Sequence, residues 1–209
     1  MRVLNLYAGV GGNRLHWTGA DVTAVELDPA IAEIYSHHFP KDEMIIGDAH
    51  EYLRDYVDDG WDLMIAHPPC TYFANSGVCW LHTEEGRWEK LDEAAVFFNT
   101  LLDSSILLIC VENPIPHKYA IERIGGRKYT QLIQPYMFGH KETKATCLWL
   151  KGLDPLIPTS DLKKETMALP SAQRQRIHWL PPSPDRWKLR STTYQGIADA
   201  MANQWGDEL

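Results

Sequence analysis

The rest of the chain is organised around Trp61 to Gly77, which reads WDLMIAHPPCTYFANSG. Its apolar run from Leu63 to Ala66 does not alternate with polar residues, which is typical of a strand buried on both faces of a parallel sheet. Pro68 and Pro69 follow, and prolines end both strand pairing and helix formation. The chain must therefore turn outward at the carboxyl end of a buried strand, where open α/β sheets bind their ligands.

Cys70 comes directly after the two prolines, on the turn at this edge. A thiol held there is a candidate nucleophile. The alternative is that Cys70 is a small buried hydrophobic residue, as many free cysteines are. The four cysteines form no CxxC pair and no regular metal-ligand spacing, so the sequence predicts neither a disulfide framework nor a zinc site.

The composition is ordinary for a soluble globular protein, with 44% hydrophobic and 23% charged residues among 209. This length suits one well-filled domain with a small appended segment. No stretch is apolar for long enough to span a bilayer, and the N-terminus lacks a signal-peptide pattern. We therefore expect a cytoplasmic protein, in a bacterial or phage-infected cell, that has no membrane partner and acts as a monomer.

Charge is distributed unevenly along the chain, whose formal net charge is −8. Residues 118 to 190 hold 14 of the 20 Lys and Arg but only 6 of the 28 Asp and Glu, which gives +8 there and −16 elsewhere. Such an asymmetry indicates a portion that faces a polyanion such as nucleic acid. The alternative is that these basic loops are merely solvated.

The N-terminal residues predict a ligand-binding turn. A strand from Arg2 to Tyr7 leads into the glycine cluster Ala8 to Gly12, and a helix is predicted from about Asn13. Glycines there let a ligand approach the backbone amides, although a plain tight turn would have the same residues. The second strand, Asp21 to Glu26, ends in an acid that is placed to bind both hydroxyls of a ribose.

Asp48 follows the next helix and strand, Pro29 to Phe39 and Glu43 to Ile46, and it is placed to bind an adenine amino group or to cap a helix. Beyond the polar and aromatic loop Thr71 to His82, we expect an irregular excursion over Gly152 to Pro184. The remaining predicted elements are a helix from Glu84 to Ser105, strands over Ile106 to Val111, Gln131 to Tyr136 and Thr146 to Leu150, and a closing helix from Tyr194 to Trp205.

Glu112 and Asn113 follow the strongly apolar fifth strand and therefore reach the same sheet edge as Cys70. A carboxyl group beside a buried strand tip is desolvated, which raises its pKa and lets it donate a proton or bind a ring nitrogen. The alternative is an acid that only caps a helix.

Taken in this order, the motifs resemble those of the DNA cytosine-5 methyltransferases, and the resemblance covers most of the chain. It implies a Rossmann-like α/β fold with a doubly wound, mostly parallel sheet and an antiparallel last strand. It also implies S-adenosylmethionine as the cofactor and no metal. The residues that this resemblance assigns to the cofactor are Tyr7, Ala8, Gly9, Gly11, Gly12, Glu26, Leu27, Asp48, Ala49 and Pro68.

The same resemblance implies a covalent mechanism, in which a thiolate adds to carbon 6 of cytosine so that carbon 5 can take a methyl group. Because a paired base hides these atoms, the nucleotide must be flipped out or single-stranded. The implied catalytic residues are Cys70, Glu112, Asn113 and Lys144. The implied substrate-binding residues are Pro69, Thr71, Asn75, Ser76, Arg174 and Arg176.

Four residues depart from the family's usual pattern. Thr71 stands where glutamine is usual, His67 where glycine is usual, and Pro114 where valine is usual. Lys144 replaces an arginine, so a bidentate contact with the base would be lost. The departures at Thr71, Pro114 and Lys144 bear on the identity of the base that is modified.

The chain also has little room for a target-recognition region. We expect a catalytic domain over residues 1–151, a reduced recognition segment over 152–190 and a closing helix over 191–209 that packs back on the catalytic domain. So small a segment predicts a short or relaxed target sequence. Its basic residues are Arg174, Arg176, Arg186, Lys188 and Arg190.

The sequence therefore predicts a minimal DNA cytosine-5 methyltransferase that transfers a methyl group from S-adenosylmethionine, as in a phage or a restriction-modification system. One alternative is a methyltransferase that acts on a free pyrimidine nucleotide or on RNA, or that transfers a modified group. Another is a nucleic-acid-binding homologue that has lost catalysis.

Overall fold

A mixed sheet organises the chain. The structure is a computed structural model that describes residues 1–183 and 186–206, without the side chains of residues 187, 188 and 191. The side chain of Lys188, in the predicted recognition segment, and the last three residues of the closing segment thus lie outside the described part. Within it, the strands are β1 Arg2–Leu6, β2 Asp21–Glu26, β3 Glu43–Ile46, β4 Leu63–Ala66, β5 Leu108–Pro114, β6 Gln131–Ile133 and β7 Thr146–Lys151.

The strand order across the sheet is β3-β2-β1-β4-β5-β7-β6. Neighbours among β1 to β5 pair in parallel, whereas β7 is antiparallel to both β5 and β6. This topology confirms the predicted Rossmann-like α/β fold with its antiparallel last strand. Because β1 lies between β2 and β4, the turns that follow β1 and β4 meet at one switch point of the sheet.

The helices cover both faces of the sheet, and α1 shows why they form where they do. Asp28 caps α1 by accepting the amide of Ala30 at 2.9 Å, and Pro29 occupies its first turn. The helices of the described chain are α1 Pro29–His38, α2 Ala49–Tyr56, α3 Arg87–Asp103, α4 Lys118–Arg123, α5 Lys163–Ala168, α6 Ser171–Arg174, α7 Arg186–Ser191 and α8 Gln195–Gly206.

Two apolar layers hold the helices to the sheet. On one face, α2 and α3 pack against the strands through Leu53, Leu91 and Phe98. On the other face, α8 packs through Met201 and Trp205, of which Trp205 is 1% exposed. Along the described residues, none of the helices is long and apolar enough to cross a membrane.

The helix predicted from Asn13 is wrong. Only a 3-10 turn, Gly12–Arg14, follows the glycine cluster. Asn13 is buried, and its side-chain amide donates to the Asn5 side chain at 2.9 Å. Arg14 is held by Asp42 through bonds of 2.6 and 2.8 Å. These tertiary contacts replace the helical hydrogen bonds that the local sequence permits.

Other predicted bounds change near prolines and in the loops. The strand predicted to reach Tyr136 ends at Ile133, because Pro135 begins a 3-10 turn. The predicted loop Thr71 to His82 contains a 3-10 helix, Asn75–His82. The excursion after Gly152 contains the two short helices α5 and α6.

Candidate active site

The turn that carries Cys70 begins where β4 ends. The amide of His67 still donates to the carbonyl oxygen of Leu6 at 3.2 Å, and the two prolines that follow have no amide hydrogen to continue the ladder. The Cys70 carbonyl then accepts the amide of Phe73 at 3.1 Å. Because the Phe73 side chain is buried at 1% exposure, the turn is anchored while Cys70 itself remains exposed.

Glu112 lies near the end of β5 and pairs with His67. The two side chains meet at 2.7 Å between His67 Nδ1 and Glu112 Oε2. Desolvation acts to raise the pKa of Glu112, but the hydrogen bond and charge of His67, the charge of Lys144 and a bond to Thr146 together hold it below its ordinary value. The predicted rise in this pKa is therefore wrong, because burial came with three partners that stabilise the carboxylate.

Several effects act in opposite directions on the pKa of the Cys70 thiol. Loss of hydration, followed by the negative charge of Glu112, raises the pKa of Cys70 above its ordinary value. The Cys70 backbone, Arg190 and Lys144 act in the opposite direction. In turn, desolvation lowers the pKa of Lys144, and the charges of Glu112 and Cys70 partly offset this effect. The thiol, carboxylate and ammonium groups thus act on one another electrostatically.

Cys70 opens into a cleft of about 910 Å³, which we call the thiol cleft. Its described lining includes three cationic side chains and no carboxylate, so it suits a ligand that carries phosphate groups. The lining residues are Pro69, Cys70, Thr71, Ala74, Asn75, Ser76, Gly77, Pro114, Ile115, Lys144, Ala145, Ile177, His178, Ser183, Arg186 and Arg190.

The structure brings four of the predicted substrate-binding residues to the thiol cleft, but not Arg174 and Arg176. Arg174 donates to the carbonyl oxygen of Leu169 at 2.9 Å. Arg176 forms an ion pair with Glu142 at 2.9 Å. Arg174 thus bonds within the predicted recognition segment, and Arg176 connects that segment to the loop before β7. Arg186 and Arg190, which the sequence placed in the same segment, line the cleft instead.

Asn113 is the predicted catalytic residue that lies deepest. It is 1% exposed, and its side-chain amide donates to the carbonyl oxygen of Pro68 at 3.0 Å. Asn113 therefore connects β5 to the proline turn rather than facing the cleft. Pro68, which is predicted to bind the cofactor, uses its carbonyl oxygen to accept this hydrogen bond.

The glycine turn after β1 forms a second edge of the candidate site. Glu26 accepts the amide of Gly9 at 2.9 Å through Oε2 and that of Asp28 at 3.0 Å through Oε1. Gly9 has a φ of 57°, and a Cβ atom there would meet no described atom within 4 Å. Open space therefore lies above the backbone of Gly9, beside the carboxylate predicted to bind a ribose. The neighbouring residues predicted to bind cofactor are Tyr7, Ala8, Gly11 and Gly12.

Asp48 is the N-cap of α2, the alternative that the sequence left open. Its Oδ1 accepts the amides of His50 and Glu51 at 2.8 and 3.1 Å. The next residue, Ala49, is 4% exposed and packs in the core. An adenine contact by Asp48 and a cofactor contact by Ala49 stay predictions.

The residues around the glycine turn fit S-adenosylmethionine. Leu27 and Ile46, at the ends of β2 and β3, are exposed by 67% and 57% and offer an apolar surface for an adenine ring. Glu26 offers carboxylate oxygens to ribose hydroxyls, and the open space over Gly9 admits a ligand to the backbone. Over residues 1–183 and 186–206, no group of three His, Cys, Asp or Glu side chains could hold a metal ion.

Several residues of these surfaces have no role in the sequence-based prediction, among them His67, Ile46, Ile177 and His178. His67 was visible only as a departure from a family glycine, and its partner depends on strand pairing. Ile177 and His178 reach the thiol cleft by chain folding that no local pattern indicates. Ile46 ends the predicted strand Glu43 to Ile46, but no local pattern indicates that its side chain is exposed beside Leu27.

Comparison with known families covers the N-terminal part of the chain. The family model of C-5 cytosine-specific DNA methylases matches residues 1–91. This match contains the glycine turn, Glu26 and Cys70. Glu112 and Lys144 lie beyond it, so their assignment depends on the geometry described above.

Two curated proteins have similar sequences over a short region. The tRNA (cytosine(38)-C(5))-methyltransferase of Spodoptera frugiperda is 30% identical over 83 residues, which are 36% of this chain and 25% of that protein. The enzyme of the same name from Mus musculus is 27% identical over 84 residues, or 37% of this chain and 20% of that protein. The chain thus spans a quarter or less of these relatives.

A solved structure extends the likeness of the fold beyond residue 91. A prophage-encoded protein of E. coli, described as a DNA modification methyltransferase, has a TM-score of 0.53 and 20% sequence identity. The likeness covers 82% of this chain and 56% of that one. At this identity, the comparison shows a shared fold.

Proposed function

We propose that this chain, which belongs to the C-5 cytosine methyltransferase family, transfers a methyl group from S-adenosylmethionine to carbon 5 of a cytosine in DNA. One observation carries the proposal: Cys70 and Lys144 line the same cleft, and the charge of Glu112 on the neighbouring strand β5 acts to raise the pKa of both groups. Three separate parts of the sequence supply these groups. Their types are those needed to add a thiolate to a pyrimidine and to stabilise the resulting ring.

Cys70 is the proposed nucleophile. Its sulfur forms a bond to carbon 6, and the electron pair of the 5,6 double bond shifts into the ring, which makes carbon 5 nucleophilic. The proton that the thiol releases balances the proton that ring nitrogen 3 gains. Lys144 and Arg190 assist because their positive charges stabilise the thiolate.

Glu112 binds the opposite side of the ring. Its ionised carboxylate accepts hydrogen bonds from the protonated nitrogen 3 and the adjacent amino group of the base. When bound beside Glu26 and the glycine turn, S-adenosylmethionine supplies an electrophilic methyl group for carbon 5. Water takes the carbon 5 proton as the Cys70 sulfur departs, which restores the double bond, and the proton on nitrogen 3 returns to the sulfur.

DNA is the proposed substrate because the thiol cleft is cationic and because the chain has the fold of a protein described as a DNA modification methyltransferase. The target nucleotide must leave a duplex, or be single-stranded, to reach Cys70. The basic balance of residues 118 to 190 supports a nucleic-acid partner over a free nucleotide.

RNA is the second candidate substrate. Both curated relatives are named as tRNA (cytosine(38)-C(5))-methyltransferases, and each is similar to this chain over a short region. A flipped or unpaired cytosine presents the same ring atoms in either nucleic acid, so the chemistry proposed for Cys70 does not distinguish them.

Parallel assays with tritium-labelled S-adenosylmethionine test the proposal. Duplex DNA, single-stranded DNA, tRNA and deoxycytidine monophosphate are each offered to the wild-type protein and to a Cys70→Ala control. We expect labelled DNA and, with 5-fluorocytosine in the strand, a covalent complex that survives denaturation. Label in tRNA alone would replace DNA by the second candidate, and label in the nucleotide alone would refute both. No label and no complex with any substrate would refute the proposal that this chain is a cytosine methyltransferase.

A further inference from the structure

His67 and Glu112 are neighbours because of the register between two parallel strands. In the pairing of β4 with β5, Ala66 lies beside Val111, so the next residue of each strand falls at the same level. Their side chains meet at 2.7 Å between His67 Nδ1 and Glu112 Oε2. Since an ionised carboxylate can only accept, Nδ1 of the imidazole carries the hydrogen.

The backbone of His67 is restrained on both its amino and its carboxyl side, which limits where the imidazole can lie. The His67 amide donates to the Leu6 carbonyl at 3.2 Å, and Pro68 restricts the backbone of the residue before it. His67 Nε2 is buried and has no hydrogen-bond partner among the described residues. The bond to Glu112 is therefore the polar contact that this ring makes within the described chain.

Other groups around Glu112 could in principle hold its carboxylate. Burial raises the pKa of Cys110, and of Cys147 to about 12, so both thiols are neutral and attract no carboxylate. Lys144 contributes charge, but its flexible stem sets no fixed direction. The titratable groups that face Glu112 from β4, β5 and β7 and their flanking turns are His67, Cys70, Cys110, Lys144 and Cys147.

We propose that His67 is a positioning residue, whose Nδ1–H fixes the Glu112 carboxylate in the orientation that receives nitrogen 3 and the amino group of the target cytosine. This inference rests on the proposed function, since it assigns the target of Glu112. A carboxylate has about four acceptor positions, so the bonds to His67 and Thr146 leave capacity for two bonds to a base. Fixing the carboxylate in advance removes a rotation that the substrate would otherwise have to restrict.

The chain offers a matched pair of substitutions at this position. In His67→Asn, the side-chain NH₂ lies near the former Nδ1 and can still donate to Glu112. In His67→Gln, the NH₂ lies near the former Nε2 and points away from Glu112. His67→Ala removes the donor altogether. A role in packing alone would leave the titration of Glu112 unchanged, whereas loss of a directed hydrogen bond shifts it.

The first measurement needs no activity. Infrared difference titration of the free protein, with Glu112→Gln as the reference, follows the protonation of Glu112. Desolvation raises the pKa of Glu112, and the hydrogen bond from His67 counteracts this effect. We therefore expect the Glu112 pKa to rise in His67→Ala and His67→Gln, which lack the donor, and to stay near that of wild type in His67→Asn. An unchanged Glu112 titration in the Ala and Gln variants would overturn the proposal.

The second measurement is the pH profile of methyl transfer. We expect kcat to fall about 10- to 100-fold in His67→Ala and His67→Gln, with the acid limb moved to higher pH and cofactor affinity retained. His67→Asn should stay within a few-fold of wild type. Equal losses in all three variants, with unmoved acid limbs, would contradict a positioning role. If wild type modifies none of the substrates, the proposed function fails, while the infrared titration still decides the His67–Glu112 contact.

Discussion

Asn113 donates its side-chain amide to the carbonyl oxygen of Pro68 at 3.0 Å and so ties the end of β5 to the turn that presents Cys70. Both the thiol and Glu112 thereby belong to one rigid unit at the sheet edge. We predict that Asn113→Ala lowers the free energy of unfolding by about 1–3 kcal/mol, because it leaves a buried carbonyl unpaired. Denaturant unfolding checks this, with the exposed Asn203→Ala, expected within about 0.5 kcal/mol of wild type, as control.

Replacing the nucleophile should separate chemistry from binding. We predict that Cys70→Ala lowers methyl transfer by more than about a thousandfold, since no other group in the unit replaces the thiolate. Affinity for S-adenosylmethionine, measured by calorimetry, should be unchanged. Cys79→Ala removes another exposed cysteine that does not line the thiol cleft and should retain activity. Turnover by Cys70→Ala would remove Cys70 from the mechanism.

The raised pKa of Cys70 predicts a rate that increases with pH. In the ordinary neutral range the thiol is protonated, and raising the pH through its pKa generates the attacking thiolate. Lys144 lowers this pKa, so Lys144→Met should move the midpoint to still higher pH. The pH dependence of alkylation by iodoacetamide measures the thiol without catalysis. The exposed Lys141→Met is the control, and equal midpoints in the two variants would contradict the charge effect.

Glu26 should govern affinity for the cofactor. Glu26→Ala removes the carboxylate offered to the ribose and the acceptor of the Gly9 amide. Loss of hydrogen bonds to a charged group costs about 1.5–3 kcal/mol, so we expect the Kd for S-adenosylmethionine to rise roughly 10- to 100-fold. Calorimetric titration checks this against Glu33→Ala, an exposed acid on α1. Similar affinities for both variants would refute the ribose assignment.

Alanine substitutions at Gly11 and Gly19 distinguish backbone strain from a steric clash of the added Cβ atom. Both have positive φ, 83° and 80°, but only at Gly11 would an added Cβ overlap the ring of Phe39. We predict that Gly19→Ala destabilises by about 1–2 kcal/mol through its backbone alone. Gly11→Ala should cost about 1–3 kcal/mol more, because the ring must move. Thermal unfolding of the two variants compares them directly, and equal losses would show that Phe39 adapts freely.

The order of residues along the chain was sufficient to predict most of the strands and helices. Apolar runs bounded by prolines and glycines predicted β2, β3 and β4 at their observed bounds, because hydrophobic periodicity and turn residues are local properties. The helix expected from Asn13 failed for the opposite reason. Its buried bond to Asn5 and the link from Arg14 to Asp42 are contacts that local periodicity does not encode.

For the candidate site, the sequence by itself determined which chemical groups reach the carboxyl edge of the sheet: a thiol after two prolines, an acid after an apolar strand and a glycine turn. Tertiary structure decided which of them meet. The β4–β5 register places His67 against Glu112, and that contact, together with Lys144 and Thr146, reverses the shift expected for the Glu112 pKa. Folding of the C-terminal segment likewise brings Arg190 to the cleft and leaves Arg176 paired with Glu142. Strand order and packing bring together residues that are far apart in sequence, so these pairings were decided only when the chain folded.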